Sequence, residues 1–536
     1  MGTAVALAQV VPDAGQLLRQ ETPRPVAVPP RASPKLDIGA DKAAVSSQLP
    51  GGQRVTLKDV QIQGQLAVSK EELIRALGPV IGQSFDFAGL QQLAARVTQS
   101  LRGYGYSFSR AYLPAQNLTD GVLRIAVLEG RYGKVSVVSA DSQLAQQAQP
   151  WFAGLAPGER ITSGPLERSL LLLDDLPGIQ ASARLEPGAD LGTGDLHVQV
   201  ERSARYTGAV GVDNHGNRYS GKSRGYFNLD INSPFVFGDQ ISLRGSYSSQ
   251  GTWLGSAAYS LPLGTDGWRA QIGASRTQYE LGKEFANLQA HGTADAASAG
   301  LGYALLRTQD RNLRLGIQLQ TRRLQDKQDA TLTSASKTAQ VVPISIAGDL
   351  RDAYGVTWGN ITFASGNLSL DAGLRAVDGA TARTEGRYTK VNADLARLQP
   401  LTPNMTLYGR LSLQQASKNL DSSEKLSLGG PAGVRAWPSG EAAGDEGQLI
   451  QAELRLQTDW GVPFFFIDAG SVRISRNPWL AGNNQRSIKG SGFGLRSSFG
   501  QWRLEASLGW RSSSQRPTTE PGARQPQLWI ALSREL

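Results

Sequence analysis

The strongest constraint on the fold is a long stretch, from about Arg205 to the C-terminus, in which apolar and polar residues alternate. In the segment 501–511, the apolar positions are Trp502, Leu504, Ala506, Leu508 and Trp510. The segments 313–320 and 450–457 repeat the same period of two. Because the side chains of a β-strand point alternately to its two faces, each segment has one apolar and one polar face. The pattern predicts strands with a hydrophobic phase on one side and water on the other.

A soluble β-sandwich would alternate in the same way, with its apolar faces turned inward. Two features favour a transmembrane barrel instead. Most of the segments span about 10 to 15 residues, which is longer than ordinary strands, and aromatic residues near their ends suit the girdles at membrane interfaces. These aromatic residues are Trp268, Trp502, Trp510 and Phe235. No apolar run reaches the roughly 18 residues that a transmembrane helix needs.

Sixteen segments fit the strand pattern. They are 205–215, 223–233, 239–249, 251–262, 267–280, 290–307, 312–329, 338–352, 353–366, 388–401, 405–418, 448–460, 463–474, 488–499, 501–511 and 527–535. An even number of strands lets an antiparallel barrel close with both chain ends on one side. We therefore predict an all-β transmembrane barrel of 16 antiparallel strands over residues 205–536.

An α/β module is predicted ahead of the barrel, at residues 54–133. It begins with a strand near 55–62, and its first helix starts at the capping box Ser69-x-x-Glu72. Its second helix has apolar residues at helical spacing, namely Leu90, Leu93, Val97 and Leu101. A strand follows in which the apolar residues alternate, namely Leu123, Ile125 and Val127.

Residues 134–204 repeat this order of elements. Helical segments are predicted near 143–152 and 165–176, followed by a strand with Leu196, Val198 and Val200. Leu123 and Leu196 lie 73 residues apart in matching patterns, which favours a duplicated domain. The alternative is a pair of generic α/β folds without a binding role.

The N-terminus predicts a short helix on a tether. Residues 9–22 contain an amphipathic segment with Asp13 as N-cap and Leu17 and Leu18 on its apolar side. Residues 23–53 form a Pro-rich linker that we expect to be extended and without a core. A disordered N-terminus is the alternative. Residues 1–8 resemble the end of a signal peptide, because Ala6-Leu7-Ala8 matches an A-x-A site.

One arginine and one aspartate stand out within the predicted barrel. Arg435 lies in a Gly/Pro-rich loop, and Asp468 lies about thirty residues later in the apolar run Phe464 to Gly470. An unpaired carboxylate in such a run would be very costly. The glycines of the loop would let Arg435 fold back deeply, which makes it the plausible partner of Asp468. The loop, at 423–447, is therefore predicted to fold inward.

These motifs resemble the VRGY-type loop and the F-x-D-x-G strand of the two-partner secretion transporters, the TpsB family of outer-membrane translocation pores. The loop residues are Gly433, Val434, Arg435, Ala436 and Trp437, and the strand residues are Phe466, Asp468 and Gly470. Ala-Trp stands where the family has Gly-Tyr, a departure that concerns the packing of the loop tip. The βααββ order resembles the POTRA domain, and Leu176-Pro177-Gly178 and Leu185 to Gly188 resemble the second POTRA domain of this family.

The resemblance implies a function. POTRA domains in the periplasm would bind an unfolded partner exoprotein, and the barrel would pass it to the cell surface without ATP. It implies that the helix with Asp13, Leu17 and Leu18 plugs the pore. The other expected partners are outer-membrane lipid, including lipopolysaccharide, and the barrel assembly machinery during biogenesis; we expect a monomer. The cargo, whether haemolysin, adhesin or contact-dependent toxin, stays open.

Two alternatives remain at this level. An insertase of the same superfamily would assemble membrane proteins, but such relatives usually have more POTRA domains and no tethered helix. A plain porin or a surface adhesin would not need modules ahead of its barrel. The two predicted modules and the N-terminal helix therefore favour secretion.

An enzyme, a metal protein and a nucleic-acid-binding protein have little support. There is no cysteine, which excludes thiol catalysis and Cys-based zinc sites. The net charge of +9 is spread along the chain, so nucleic acid is not an expected partner. His197, His215 and His291 are scattered outside any metal motif. Gly490-x-Gly492-x-Gly494 lacks the Lys-Ser/Thr of a phosphate-binding loop and suits a barrel wall. We predict no cofactor.

Overall fold

The computed structural model describes residues 11–21, 36–38, 53–64 and 68–536. The chain begins with helix α1 (Ala14–Glu21) and the short strand β1 (Leu36–Ile38). The predicted signal-peptide remnant and most of the predicted linker lie outside the described residues. Within the described part of the chain, no helix is both long and apolar enough to cross a membrane.

The first α/β module has the predicted order of elements. Its elements are β2 (Val55–Thr56), β3 (Asp59–Gln63), α2 (Lys70–Leu77), β4 (Ser84–Phe85), α3 (Phe87–Gly103), β5 (Arg110–Tyr112) and β6 (Val122–Leu128). The Ser69 side chain accepts a hydrogen bond from the backbone N–H of Glu72, as a capping box requires. The apolar face of α3 is buried against the three-stranded sheet β3-β6-β5.

The second module repeats that order around its own core. Its elements are β7 (Arg131–Val138), α4 (Ser142–Ala148), α5 (Ser163–Asp174), β8 (Ile179–Pro187) and β9 (Thr193–Arg202). The predicted boundary after residue 133 falls inside β7, so the first module ends a few residues earlier than expected. The helices pack on the sheet β1-β8-β9-β7.

Strand β1 comes from the segment that we expected to be an extended linker. It pairs in parallel with β8, with Leu36 opposite Ala183 and Ile38 opposite Leu185. The proline content of the linker did not indicate that three of its residues join a folded sheet. The linker is therefore attached to the second module.

The remaining residues form a closed barrel of sixteen strands. They are β10 (Tyr206–Asp213), β11 (Arg224–Asn232), β12 (Gln240–Ser248), β13 (Trp253–Leu263), β14 (Trp268–Glu280), β15 (Ala290–Arg307), β16 (Arg311–Gln328), β17 (Thr333–Asp352), β18 (Gly355–Leu370), β19 (Gly386–Pro400), β20 (Met405–Ala416), β23 (Glu446–Leu456), β24 (Val462–Arg473), β25 (Gln485–Phe499), β26 (Trp502–Arg511) and β27 (Gln527–Glu535). Between β20 and β23 lie two short strands, β21 (Leu426–Ser427) and β22 (Ala443–Gly444). Each predicted segment coincides with one barrel strand, so the predicted fold class is confirmed.

The two faces of the barrel wall differ as the alternation predicted. Outward residues are apolar and exposed, as in Ile272, Leu319 and Phe493, whose exposed fractions are 59%, 62% and 62%. Inward residues include buried polar side chains such as Gln451 and Glu453. A bilayer can solvate the exposed apolar residues, whereas only water or protein can solvate the inward polar residues. The outer wall is therefore suited to a membrane.

The second module is docked on one end of the barrel, here called the module end. Arg307 of β15 donates to both carboxylate oxygens of Asp175, at 2.8 and 2.9 Å. Arg168 of α5 donates to the carbonyl oxygen of Ala304 at 2.7 Å. The Ser233 hydroxyl donates to the carbonyl oxygen of Pro177 at 2.8 Å, so the Leu-Pro-Gly motif lies at this contact. The opposite end of the barrel is called the far end.

Candidate functional site

A long loop between β20 and β23 folds into the barrel lumen. Its base is closed by the pairing of β21 with β22, and its tip is a compact turn in which Val434 N–H donates to the Leu428 carbonyl oxygen at 2.7 Å. Leu428, Val434 and Trp437 are fully buried against residues of the barrel wall. The segment predicted to fold inward, 423–447, contains this whole tip.

The loop tip brings Arg435 against Asp468 on β24. Arg435 Nε donates to Asp468 Oδ2 at 2.8 Å, and Nη2 donates to Oδ1 at 2.7 Å. The backbone N–H of Arg435 also donates to Oδ2, at 3.1 Å. The exposed fractions of the two residues are 4% and 0%. The two residues singled out in the sequence therefore form a buried pair with two parallel hydrogen bonds, the strongest geometry available to these side chains.

A second carboxylate, Glu453 on β23, binds the same guanidinium. Arg435 Nη1 donates to Glu453 Oε1. Glu453 also accepts hydrogen bonds from Arg455 Nε at 2.8 Å and from Arg496 Nη1 at 3.0 Å. Glu453 was not predicted from the sequence. Its only signal was its position on the polar face of an alternating strand, which it shares with many charged residues.

Aromatic side chains cover this cluster from inside the wall. The guanidinium carbon of Arg435 lies 3.8 Å from the centre of the Phe466 ring, and that of Arg496 lies 4.2 Å from the centre of the Phe464 ring. Phe465 and Ile467 point outward. The F-x-D-x-G motif thus presents Phe466, Asp468 and Gly470 to the lumen. A Cβ on Gly470 would lie 2.9 Å from both methyl groups of Leu428, so this position leaves room for the loop.

The barrel wall accommodates Ala436 and Trp437 at the loop tip, where the family has Gly-Tyr. Ala436 lies against Gly490 and Gly509, and a Cβ on Gly509 would be 2.9 Å from the Ala436 backbone nitrogen. Trp437 is fully buried, and its Nε1 donates to the Lys489 carbonyl oxygen at 3.0 Å. Gly490, Gly492 and Gly494 all lie on β25, where they make room for the loop and for the inward rings of β24.

The loop is also bonded to the last strand of the barrel and to the last far-end loop. Trp529 Nε1 on β27 donates to the Arg435 carbonyl oxygen at 2.7 Å. The carboxylate of Glu441, which is fully buried, accepts hydrogen bonds from the backbone N–H groups of Thr518 and Thr519 at 2.9 Å each. Arg486 of β25 binds the same carboxylate. No sequence pattern pointed to Glu441.

Helix α1 lies in the far-end half of the lumen. Asp13 accepts a hydrogen bond from Gln16 N–H at 2.9 Å, which is the predicted N-cap. The ammonium group of Lys337 on β17 lies 2.8 Å from Asp13 Oδ2 and 2.8 Å from Asp421 Oδ2. The Ser422 hydroxyl donates to Asp13 at 2.7 Å. The start of the helix is thus held both by the wall and by the base of the inward loop.

The apolar side of α1 packs on the wall. Leu17 and Leu18 are buried with Ala14 against side chains from the far-end halves of β14, β15 and β16 and from the loop before β15, including Tyr279, Leu281, Phe285, Ala294 and Leu324. Arg19 Nη1 donates to the carbonyl oxygens of Ser422 and Lys425 at 2.8 and 3.1 Å. Burial lowers the pKa of Arg19 to about 10, although the nearby carboxylate of Asp13 opposes this shift. Arg19 therefore stays charged at neutral pH.

In residues 11–21, 36–38, 53–64 and 68–536, no three His, Cys, Asp or Glu side chains are grouped as metal ligands would be. The ring of His215 meets Trp529 edge-on, with 5.8 Å between centroids. His197 contacts the Ser136 hydroxyl at 3.0 Å, and His291 contacts the Gln289 carbonyl oxygen at 3.1 Å.

The contacts of Glu441 generate a prediction about the far-end loop 512–526. Glu441→Ala removes the acceptor for Thr518 and Thr519, so the loop should open more often. We expect trypsin to cleave the purified protein after the exposed Arg524 about tenfold faster, since hydrogen bonds to a buried charge are strong. Time-resolved proteolysis with mass spectrometry measures the rate.

A matched control is Glu446→Ala. Glu446 is also a buried carboxylate, but its partners are Arg473 and Arg476. Cleavage after Arg524 should stay near the wild-type rate in this variant. Equal rates in Glu441→Ala and the wild type would mean that Glu441 does not hold the loop.

Comparisons with known proteins agree with this architecture. Residues 55–130 match the POTRA domain of ShlB type. The chain is 27% identical over 513 residues to the heme/hemopexin transporter protein HuxB of Haemophilus influenzae strain 86-028NP, covering 93% of this chain and 90% of that protein. It is 23% identical over 420 residues to the outer membrane transporter CdiB of Dickeya dadantii strain 3937, covering 77% and 74% of the two chains.

The fold is shared with solved structures. CdiB from Escherichia coli superposes with a TM-score of 0.71 at 20% identity, over 98% of this chain and 96% of that one. Residues 192–497 match the family described as haemolysin secretion/activation protein ShlB/FhaC/HecB. Because this match covers more than half of the chain, the protein belongs to the ShlB/FhaC/HecB family of haemolysin secretion/activation proteins.

Proposed function

We propose that this outer-membrane transporter binds an unfolded partner exoprotein in the periplasm and passes it through the barrel to the cell surface. The observation that carries the proposal is the family match across the barrel, preceded by a POTRA domain of the same family. The family is one of transporters, and the mechanism needs binding and passage but no catalytic residue or ATP. The protein acts as a monomer, and the barrel assembly machinery inserts it.

The alternatives are less well supported. The relatives include the heme/hemopexin transporter protein HuxB, the outer membrane transporter CdiB and the hemolysin transporter protein ShlB. A structure of BamA from Haemophilus ducreyi lacking POTRA domains 1-3 also superposes, with a TM-score of 0.51 at 14% identity, but at that identity the likeness concerns the fold. A porin or an adhesin would leave both modules and the lumen helix unexplained. Secretion accounts for all three features.

The first module offers sheet edges for binding an extended chain. β3 and β5 are the outer strands of its three-stranded sheet, and in the described part of the chain no further strand pairs with either. On the β5 side, the outward N–H of Ala111 is bonded to the Thr98 hydroxyl at 2.9 Å. A cargo strand that adds on this side replaces the Thr98 hydroxyl as the acceptor of the Ala111 N–H. Among the described residues, no backbone N–H of β3 is bonded to a side chain in this way. Strand addition binds a chain through hydrogen bonds to its backbone, so it suits an unfolded cargo.

The lumen contents set the resting state of the pore. The inward loop and α1 both occupy the lumen, and they contact each other through Ser422 and Lys425. An extended cargo needs this space and a polar wall along which its backbone stays hydrated. The helix therefore acts as a plug, and Arg435 with Asp468 fixes the loop in the position that the transport cycle requires.

The first test concerns cargo binding. Deletion of residues 54–130, which ends before β7, should abolish secretion of the partner exoprotein because the cargo loses its docking edge. The heat-modifiable mobility of the folded barrel on gels should stay unchanged, which controls for assembly. Normal export by this deletion variant would rule out a required role for the first module.

The second test concerns the plug. Deletion of residues 9–30 removes α1 and should raise single-channel conductance in planar bilayers while secretion largely continues. Leu17→Asp places a charge against the apolar wall and should raise the conductance in the same direction with the tether intact. Gln16→Asp changes a partly buried polar position of the same helix and serves as the control. Unchanged conductance in the deletion variant would mean that the helix is not a plug.

The third test concerns Arg435 and Asp468. Arg435→Ala and Asp468→Ala should each strongly reduce secretion, because removing one partner of a buried pair costs about 3–5 kcal/mol. Arg435→Ala should be the more severe, since it also leaves Glu453 without this partner. Arg435→Lys should not restore full secretion, because lysine cannot donate two parallel hydrogen bonds. The assay is the amount of secreted exoprotein at equal barrel levels.

The double variant separates a pair from two independent residues. Coupled partners are not additive, so Arg435→Ala with Asp468→Ala should be little worse than the more severe single variant. Arg410→Ala is a matched control, since this lumen arginine pairs with Asp394 at 2.8 Å and lies two strands from Asp468. Additive losses in the double variant would show that the two residues do not act together.

A further inference from the structure

The outer wall carries a short charged row that the transport function does not use. Along the strand register, Arg276 on β14 is directly opposite Asp295 on β15, which is directly opposite Arg323 on β16. Residues opposite each other on neighbouring strands point to the same face. Their sequence neighbours Thr277, Ala294 and Leu324 are buried toward the lumen, so the three charged side chains point outward.

This row lies just beyond the apolar belt, on the far-end side. Two positions closer to the module end, the same outer face carries Ala274, Ala297 and Thr321. The next outward row is Ile272, Ala299 and Leu319, which includes strongly exposed apolar residues. The charged row therefore lies where the hydrophobic band ends and the polar surface begins. Since the modules are periplasmic, this boundary is that of the outer leaflet.

A groove opens in the wall at the same place. It has a volume of about 710 Å³ and runs across β11 to β16. The edge of the groove nearest the far end is formed by Arg276, Asp295 and Arg323. The rest of its outward lining combines aromatic and aliphatic residues with small ones, namely Phe227, Leu243, Trp253, Gly255, Ala257, Ala274 and Ala297. Small side chains in three neighbouring strands leave a depression that an acyl chain can fill.

The charge of the row is not balanced locally. Arg276 lies 3.6 Å from Asp295, and both are about half exposed. Among the described residues, no carboxylate lies within ion-pair distance of Arg323. By contrast, its neighbour Arg322 points into the lumen and pairs with Glu424 at 2.5 Å. Two guanidinium groups therefore face the outside with one carboxylate between them, which leaves one net positive charge.

We propose that this groove binds lipopolysaccharide, with a lipid A phosphate held by Arg276 and Arg323 and an acyl chain lying over the alanine row. Guanidinium groups bind phosphate through paired hydrogen bonds. Arg276 and Arg323 lie two strands apart, about 10 Å, which suits one bulky headgroup. Asp295 between them positions Arg276. The outer leaflet is the one in which lipopolysaccharide supplies the phosphates, so this lipid is the occupant that the position favours.

The test is native mass spectrometry of the full-length protein, delipidated in detergent and titrated with defined lipids. Wild-type protein should bind bisphosphorylated lipid A about tenfold more tightly than Arg276→Ala/Arg323→Ala, because the variant lacks both phosphate ligands. Dephosphorylated lipid A should bind the wild type about as weakly as the phosphorylated lipid binds the variant. Heat-modifiable mobility confirms that the variant barrel is folded.

Two further arms identify the source of the phosphate. Arg534→Ala removes an outward arginine at the module end and should leave lipid A binding unchanged. Phosphatidylglycerol should bind the wild type more weakly than lipid A. Equal lipid A affinity in the wild type and the double variant would overturn the proposal, and so would a preference for phosphatidylglycerol. Neither result depends on secretion, so failure here leaves the transport proposal intact.

Discussion

The central constraint of this structure is that a buried guanidinium must be neutralised where it lies. Arg435 is withdrawn from water on a loop with little regular structure, and two carboxylates on adjacent strands, Asp468 and Glu453, receive it. Removing either side would leave a charge in surroundings that cannot solvate it. The loop tip is thereby held at one position on the wall, and the close approach of Ala436 to the wall glycines depends on that position.

The same loop connects parts of the barrel that are far apart in sequence. Its base contacts α1 through Ser422, its tip contacts β27 through Trp529, and Glu441 binds the far-end loop that precedes β27. Motion of the loop therefore affects α1, the barrel wall and the edge where the barrel closes. At that closing edge, between β10 and β27, five residues of each strand are in register, and one further backbone hydrogen bond lies at each end of this ladder. The contacts of the loop near this edge add to a short hydrogen-bonded ladder.

Local periodicity was sufficient to predict the sixteen strands, because a strand that separates lipid from water shows its two faces in its own sequence. The pairing of Arg435 with Asp468 was also accessible, since a carboxylate in an apolar run implies a cation nearby. Glu453 and Glu441 were not accessible in this way. They lie in polar or irregular segments, where a carboxylate needs no special explanation until three-dimensional neighbours are known. The register that aligns Arg276, Asp295 and Arg323 is likewise a property of strand pairing.

The attachment of β1 to the second module limits how far α1 can travel. Fifteen residue steps separate Glu21 from Leu36, and a fully extended chain of that length spans at most about 54 Å. While β1 stays paired with β8, a helix that leaves the lumen stays tethered beside the pore by the residues between Glu21 and Leu36. Its return is then an intramolecular event with a high effective concentration. The return of α1 to the lumen would depend on the length of this tether and not on the amount of protein in the membrane.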